Sequence, residues 1–131
     1  MIEALSFQMP LGLPGLTSGT EFTLEPRVPG SAYAWLRSRR EPKLTLLTIE
    51  AARVRPDYPV EQVRRGLGFL HLGPDEALHV MLLCTVPAAP DPATVNLVAP
   101  IGLGMECRKA AQIVLHDPEL DERLPLPGQA G

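Results

Sequence analysis

Aromatic side chains are scarce in this chain of 131 residues: two tyrosines, one tryptophan and three phenylalanines. So few stacking platforms argue against a surface that reads single-stranded nucleic acid by base stacking. Cysteine is scarcer. Cys84 and Cys107 stand apart, with no CxxC spacing and no second pair, which argues against a disulfide framework and leaves each as a reduced thiol acting as a small hydrophobe. No apolar run approaches the ~20 residues that a membrane span needs. The longest, ALHVMLLCTVP at 77–87, is interrupted by His79 and closed by Pro87. The N-terminal MIEALSFQMPLG offers neither a basic region nor a long apolar one, so no secretory signal is expected and the cytoplasm is the expected compartment.

Proline, by contrast, is abundant. The 15 prolines are about twice the usual ~5% usage, and a residue that removes a backbone donor and breaks helices cannot be spread so evenly through an all-α protein. Apolar residues at 45% and charged residues at 21% are ordinary for one globular domain, expected over residues 1–126 with a flexible tail at 127–131. The net charge of −3 hides a polarity. Residues 27–65 hold nine basic groups against four acids, whereas residues 75–131 hold eight acids against three basic groups. Solvated faces explain such a split, and so does a protein that meets partners of opposite sign on different surfaces.

Runs rich in β-branched or aromatic residues, bounded by Pro, Gly, Asp or Asn, predict strands at 21–26, 32–38, 44–54, 77–87, 93–103 and 109–116. Turn signals separate all six. One short helix is predicted near 59–66, where Val60, Val63 and Leu67 recur at helical spacing, Pro59 suits a first turn and Gly66 or Gly68 suits a left-handed stop. Pro74, Asp75 and Glu76 resemble a second helical turn. The expected class is therefore all-β: a compact barrel-like or roll-like domain of short strands with one or two short helical turns.

Searches for chemistry fail. His71, His79 and His116 are not at metal spacing with one another or with either cysteine. The glycine pairs Gly66/Gly68 and Gly102/Gly104 lack the third glycine of a phosphate loop and read as positions of positive φ or close backbone approach. No GxSxG occurs. Neither an enzyme, a cofactor nor a metal is expected. WLRSRREPK places four basic groups beside Trp35, a pattern able to track phosphates, but the anionic balance of the chain argues against direct nucleic-acid binding, and Trp35 reads as core or rim of a sheet.

Taken in order, GLPG (12–15) followed by FTLEP, YAWLRS, EPKLTLLTIEAARVRPDY (41–58), TVP (85–87), ATVNLVAPI (93–101), QIVL (112–115) and RLPL (123–126) resemble the bacterial flagellar assembly factor FliW family, over Gly12 to about Leu126. The resemblance implies a cytoplasmic, non-enzymatic, barrel-like protein that exchanges partners. Such proteins bind newly made flagellin. Once flagellin is exported, the freed protein captures the translational repressor CsrA away from its RNA-binding face and so relieves repression of flagellin messenger RNA. The runner-up roles are a flagellin-binding chaperone that does not act on CsrA and a small nucleic-acid-binding module. A monomer is expected in the free state, with no membrane partner. The chain departs from the family pattern at RSRREP (37–42), where an acidic QSxDDP-like turn is common, and at GLGMECRKAAQ (102–112), where Ala110 takes a glycine position. Leu16 replaces a common Phe and Leu120 a common Tyr.

An antagonist of a cationic RNA-binding protein is expected to dock through carboxylates. The segment PDYPVE nominates Asp57 and Glu61 as charges and Tyr58 as an amphipathic anchor, with Asn96 of the neighbouring strand adding donors and acceptors. In the competing structural reading, Asp57 caps the helix and Tyr58 packs on the core. Pro100 is expected to end a ladder at an edge or bulge. The acidic run Asp117, Glu119, Asp121 and Glu122 is the next candidate surface.

Overall fold

The computed structural model describes residues 4–88 and 90–126, so the expected tail lies outside the described residues. Among the described residues, nine short strands form one antiparallel sheet: β1 (Leu5–Gln8), β2 (Glu21–Pro26), β3 (Tyr33–Ser38), β4 (Thr45–Glu50), β5 (Leu78–Thr85), β6 (Thr94–Val95), β7 (Ile101–Gly104), β8 (Ala110–Gln112) and β9 (Leu124–Pro125). The path runs β1-β2-β3-β4-β5-β6-β9, and β7 branches from β5 to carry β8. The ladder does not close into a barrel. Between β1 and the approach to β8 there is only an isolated bridge, Gln8 to Lys109, with the Gln8 amide donating to the Arg108 carbonyl at 2.9 Å. The all-β, roll-like class is the observed one.

Several boundaries differ from expectation for physical reasons. Leu5–Gln8 becomes a strand although LSFQ carries no β-branched residue, because Phe7 pairs with Phe22 across β1 and β2, their rings stacked 6.2 Å apart. The run 44–54 stays extended only to Glu50. Ala51–Val54 then turns into a one-turn helix, α1. The run 93–103 splits into β6 and β7, and 109–116 keeps strand pairing only over Ala110–Gln112. The Pro74–Asp75 turn does not continue as a helix. The helix near 59–66 ends at Leu67, φ −94°, without a left-handed stop at Gly66 or Gly68; the left-handed residue is His71, φ 57°, which closes the 3-10 turn Gly68–Leu70 that follows.

The split in 93–103 is a bulge. Val95 faces Cys84 and Ile101 faces Met81, so the chain spends six steps, 95 to 101, where β5 spends three, 84 to 81. The surplus residues loop out around Asn96–Pro100, where a ring nitrogen without a proton makes Pro100 a poor ladder member.

Because β5 alternates, it feeds two cores. Val80 and Leu82 join Tyr58, Val63, Leu67 and Leu97. Met81 joins Phe7, Phe22, Leu24, Leu36 and Ile101. The helix α2 (Val60–Gly66) lies so tightly on β7 that a Cβ at Gly102 would meet the Leu67 Cδ1 at 2.5 Å and the Val63 Cγ1 at 3.0 Å. Gly102 is therefore a close-approach glycine, and a larger residue there would lift the helix.

One buried carboxylate ties the loops beyond β7. Glu76 Oε2 accepts from the Cys107 amide at 2.6 Å and the Glu106 amide at 2.9 Å, and Oε1 accepts from the Gly73 amide at 3.0 Å. These donors, the Cys107 amide foremost, hold the carboxyl down at about 2 despite the opposing effect of burial. Lowered in the folded state, this group contributes stability that is complete above its ordinary 4.5 and is lost as pH falls towards 2. Thermal melting of the wild type is expected to fall through that acid window, and Glu76→Gln is expected to be less stable at neutral pH and to show a shallower acid decline. A variant with the same acid profile as the wild type would remove Glu76 as its source.

Candidate functional site

The connection from α1 to α2 is a tight turn in which the Tyr58 amide donates to the Arg55 carbonyl at 3.0 Å. It drives Tyr58 inward. The ring is 5% exposed, among Val63, Leu97 and Leu120, and its hydroxyl donates to the Leu97 carbonyl at 2.5 Å. Burial pushes the phenol well above the ordinary tyrosine range, with Arg55 pulling it partly back. Tyr58 is thus a core residue that fastens two loops, not an exposed anchor.

Asn96 is spent locally. Its Oδ1 accepts from the Val98 amide at 2.8 Å and the Ala99 amide at 3.2 Å, closing the bulge on itself. The rest of the bulge is a hub. The Leu97 amide donates to Asp121 at 2.9 Å, and the carbonyls of Val98 and Pro100 accept from Leu115 at 2.8 Å and Ile113 at 3.0 Å.

Asp57 does not cap α2. The N-cap position belongs to Pro59, without a side-chain cap bond. Asp57 turns instead to Arg55, Oδ1 lying 3.2 Å from Nε, while the same guanidinium donates to the Glu119 carbonyl at 3.3 Å and stands 3.8 Å from its carboxylate. Arg55 therefore joins the two acidic stretches that sequence reading kept as separate candidates. Asp57 and Glu119 remain 78% and 79% exposed at their side chains. Glu61, on the first turn of α2, is 76% exposed and sits 4.0 Å from Arg64. Asp117 braces the second loop by accepting from the Glu119 amide at 2.9 Å. The product is a carboxylate-bearing face on backbone fixed from below by Tyr58 and Leu97.

This face can attract and orient a cationic surface. Two groups elsewhere in the fold are perturbed by burial. Burial pushes the Cys84 thiol up to about 11 and the His79 imidazole down. Cys107 is exposed rather than a core hydrophobe, and both cysteines are free thiols. Trp35 is half-buried on β3, facing Glu25 and Leu47. Among the described residues no helix is long and apolar enough to cross a membrane.

The FliW protein family model matches residues 2–126. The chain belongs to the FliW family. It is 30% identical over 125 residues to a protein of Carboxydothermus hydrogenoformans named flagellar assembly factor FliW, covering 95% of this chain and 80% of that one. It is 33% identical over 115 residues to a Heliobacterium modesticaldum protein of the same name, covering 83% and 71%. A crystal structure of the flagellar assembly factor FliW matches with a TM-score of 0.79 at 23% identity, covering 95% of this chain and 88% of that chain, a likeness of fold. Flagellar assembly factor is the class in which the chain stands.

Arg55 and Glu119 escaped sequence reading as a joint, because nothing local in ARVRPDY signals a partner 64 residues away. Tyr58→Phe isolates the fastening beneath them. Losing the hydroxyl strands the Leu97 carbonyl, an expected cost of ~1–3 kcal/mol in urea unfolding at neutral pH. With its folded value raised, the phenol stabilises fully below its ordinary value of about 10 and less as pH rises beyond it, so the gap between wild type and variant is expected to close in alkali. A gap that stays constant with pH would show that the hydroxyl is not the source.

Proposed function

We propose that this FliW-family chain works in the cytoplasm, as a monomer when free, by exchanging partners: it binds flagellin and, when flagellin is absent, captures CsrA and so relieves repression of flagellin translation. The support is the family match over residues 2–126, joined to the exposed carboxylates of Asp57 and Glu119 on a braced backbone, with Glu61 exposed on the first turn of α2. A cationic RNA-binding protein is a fitting partner for such a face, since opposed fields raise the association rate and select orientation. Tyr58 enters this reading only as a support, and Asn96 only as the residue that shapes the bulge.

The double variant Asp57→Lys with Glu61→Lys tests it. Because Asp57 is not a cap and its pair with Arg55 is exposed, the variant should fold with a loss of no more than ~1 kcal/mol. Binding to purified CsrA, followed by surface plasmon resonance, is expected to weaken by ~1–3 kcal/mol, mainly through slower association, with the deficit shrinking as salt rises. Full affinity in the folded variant would remove this face from CsrA recognition. Capture of flagellin without CsrA would favour the chaperone reading, and RNA retained through a high-salt wash would favour the nucleic-acid one.

A further inference from the structure

Part of the chain's basic charge, Arg39, Arg40 and Arg108, stands over the opposite core. The turn after β3 presents Arg39 and Arg40 beside two adjoining concavities that share Arg39 and Glu21. One, of about 390 Å³, runs from Ser6 and Gln8 of β1 to Arg108. The other, of about 470 Å³, is lined by Ser18, Thr20 and Arg40. Phe7 and Phe22, members of the first-described stacked pair, line the former, so this surface lies over a different core from the one beneath Tyr58 and Leu120.

The basic groups are presented without neutralising partners. Among the described residues the ion pairs are Arg55 with Asp57 and Glu119, and Arg64 with Glu61. Arg39, Arg40 and Arg108 have none. The turn that carries them is braced. The buried Ser38 Oγ accepts from the Glu41 amide at 3.0 Å, the Arg39 amide donates to the Glu21 carbonyl at 2.9 Å, and the Thr17 hydroxyl donates to the Glu41 carboxylate. Thr17 also accepts from the Gly19 amide at 3.0 Å, and a Cβ on Gly19 would touch the Arg40 stem at 3.3 Å. Glu41, the acid nearest in sequence, is thus committed to the brace and not to either arginine. Arg108 is held from the other side, its backbone in the left-handed region at φ 57° and its Nε donating to the Met105 carbonyl at 3.0 Å.

We propose that this surface is a second docking site, for an acidic extended segment of a protein partner whose carboxylates pair with Arg39, Arg40 and Arg108. Arginine forks suit carboxylates, and a braced turn loses little freedom on binding. Nucleic acid fits less well: Glu21 stands inside the site, the protein is anionic overall, and Trp35 is only half-exposed between Glu25 and Leu47. The site stands on its own geometry and does not require the CsrA reading.

A fluorescent glutamate-rich decapeptide, titrated at low salt and read by anisotropy, tests the proposal, with oligouridylate of equal length as the competing probe. Saturable peptide binding is expected, weakened ~10-fold or more by Arg39→Glu with Arg40→Glu and restored to within ~3-fold by Arg39→Lys with Arg40→Lys. Glu21→Gln is expected to tighten binding ~2-fold, whereas Glu122→Gln, which removes the same charge elsewhere, leaves it unchanged. Should the glutamate variant fail to fold, Arg108→Gln supplies the same test with an expected ~3-fold loss. Absence of saturable peptide binding, affinity indifferent to these arginines, equal effects of Glu21→Gln and Glu122→Gln, or tighter binding of oligouridylate would each overturn it.

Discussion

The bulge at Asn96–Pro100 is the constraint on which the acidic end of the molecule depends. A strand that matched β5 residue for residue from Thr94 to Gly104 would turn its polar backbone into the ladder. Looping out frees the carbonyls and amide of Leu97, Val98 and Pro100 for three other segments. Tyr58 takes one, the 113–115 stretch takes two, and the loop at Asp121 takes the amide. Each of these groups would cost free energy if buried unpaired. The requirement to satisfy them fixes how the loops stack, and with it where Asp57 and Glu119 emerge.

The two cores differ in the charges that their rims expose, although α2 also brings Arg64 and Arg65 to the Tyr58 core and Glu21 stands beside the other. Over the Tyr58 core, the loops that close the sheet carry Asp57, Asp117, Glu119 and Asp121, with Arg55 inserted among them. Over the Phe7 core, the turn joining β3 to β4 carries Arg39 and Arg40, while its Glu41 is drawn away to Thr17 of the β1–β2 connection. Two braced surfaces, one with exposed acids and one with exposed arginines, thus stand on one small sheet, in keeping with the proposed exchange of partners. Because they lie over separate cores, a contact at one need not distort the other.

Much of the fold was legible because its signals are local. β2 matches the run 21–26 to the residue, α2 begins one residue inside the predicted span, and Pro100 falls at a bulge as its chemistry demands. β1 was not legible, since LSFQ has no strand pattern of its own and is held by Phe22 across the sheet. At the site, the acids were visible as charges but their grouping was not. Asp57 was legible as either cap or contact; the structure removes the cap, turning Asp57 to Arg55, whose hydrogen bond to Glu119 spans 64 residues. For Tyr58 the core reading is the one the structure matches, and Asn96 bonds its own bulge; sequence could not choose, because an amphipathic or amide side chain looks the same whether it faces a partner or the chain's own carbonyls and amides.

Arg55 itself bears on how readily the acidic face can be used. A guanidinium between two carboxylates lowers the net field of the face, which would slow encounter with a cationic partner. Its side chain is nonetheless 31% exposed and both acids are more than three-quarters exposed, so the pairs are well screened and worth no more than ~1 kcal/mol each. A partner's arginine can therefore share Asp57 or Glu119 at little cost, while the bond from Arg55 to the Glu119 carbonyl keeps the loop in place. The joint works as a brace for the backbone and only a loose lock on the charges, the combination that the proposed exchange of partners requires of a face that stays rigid.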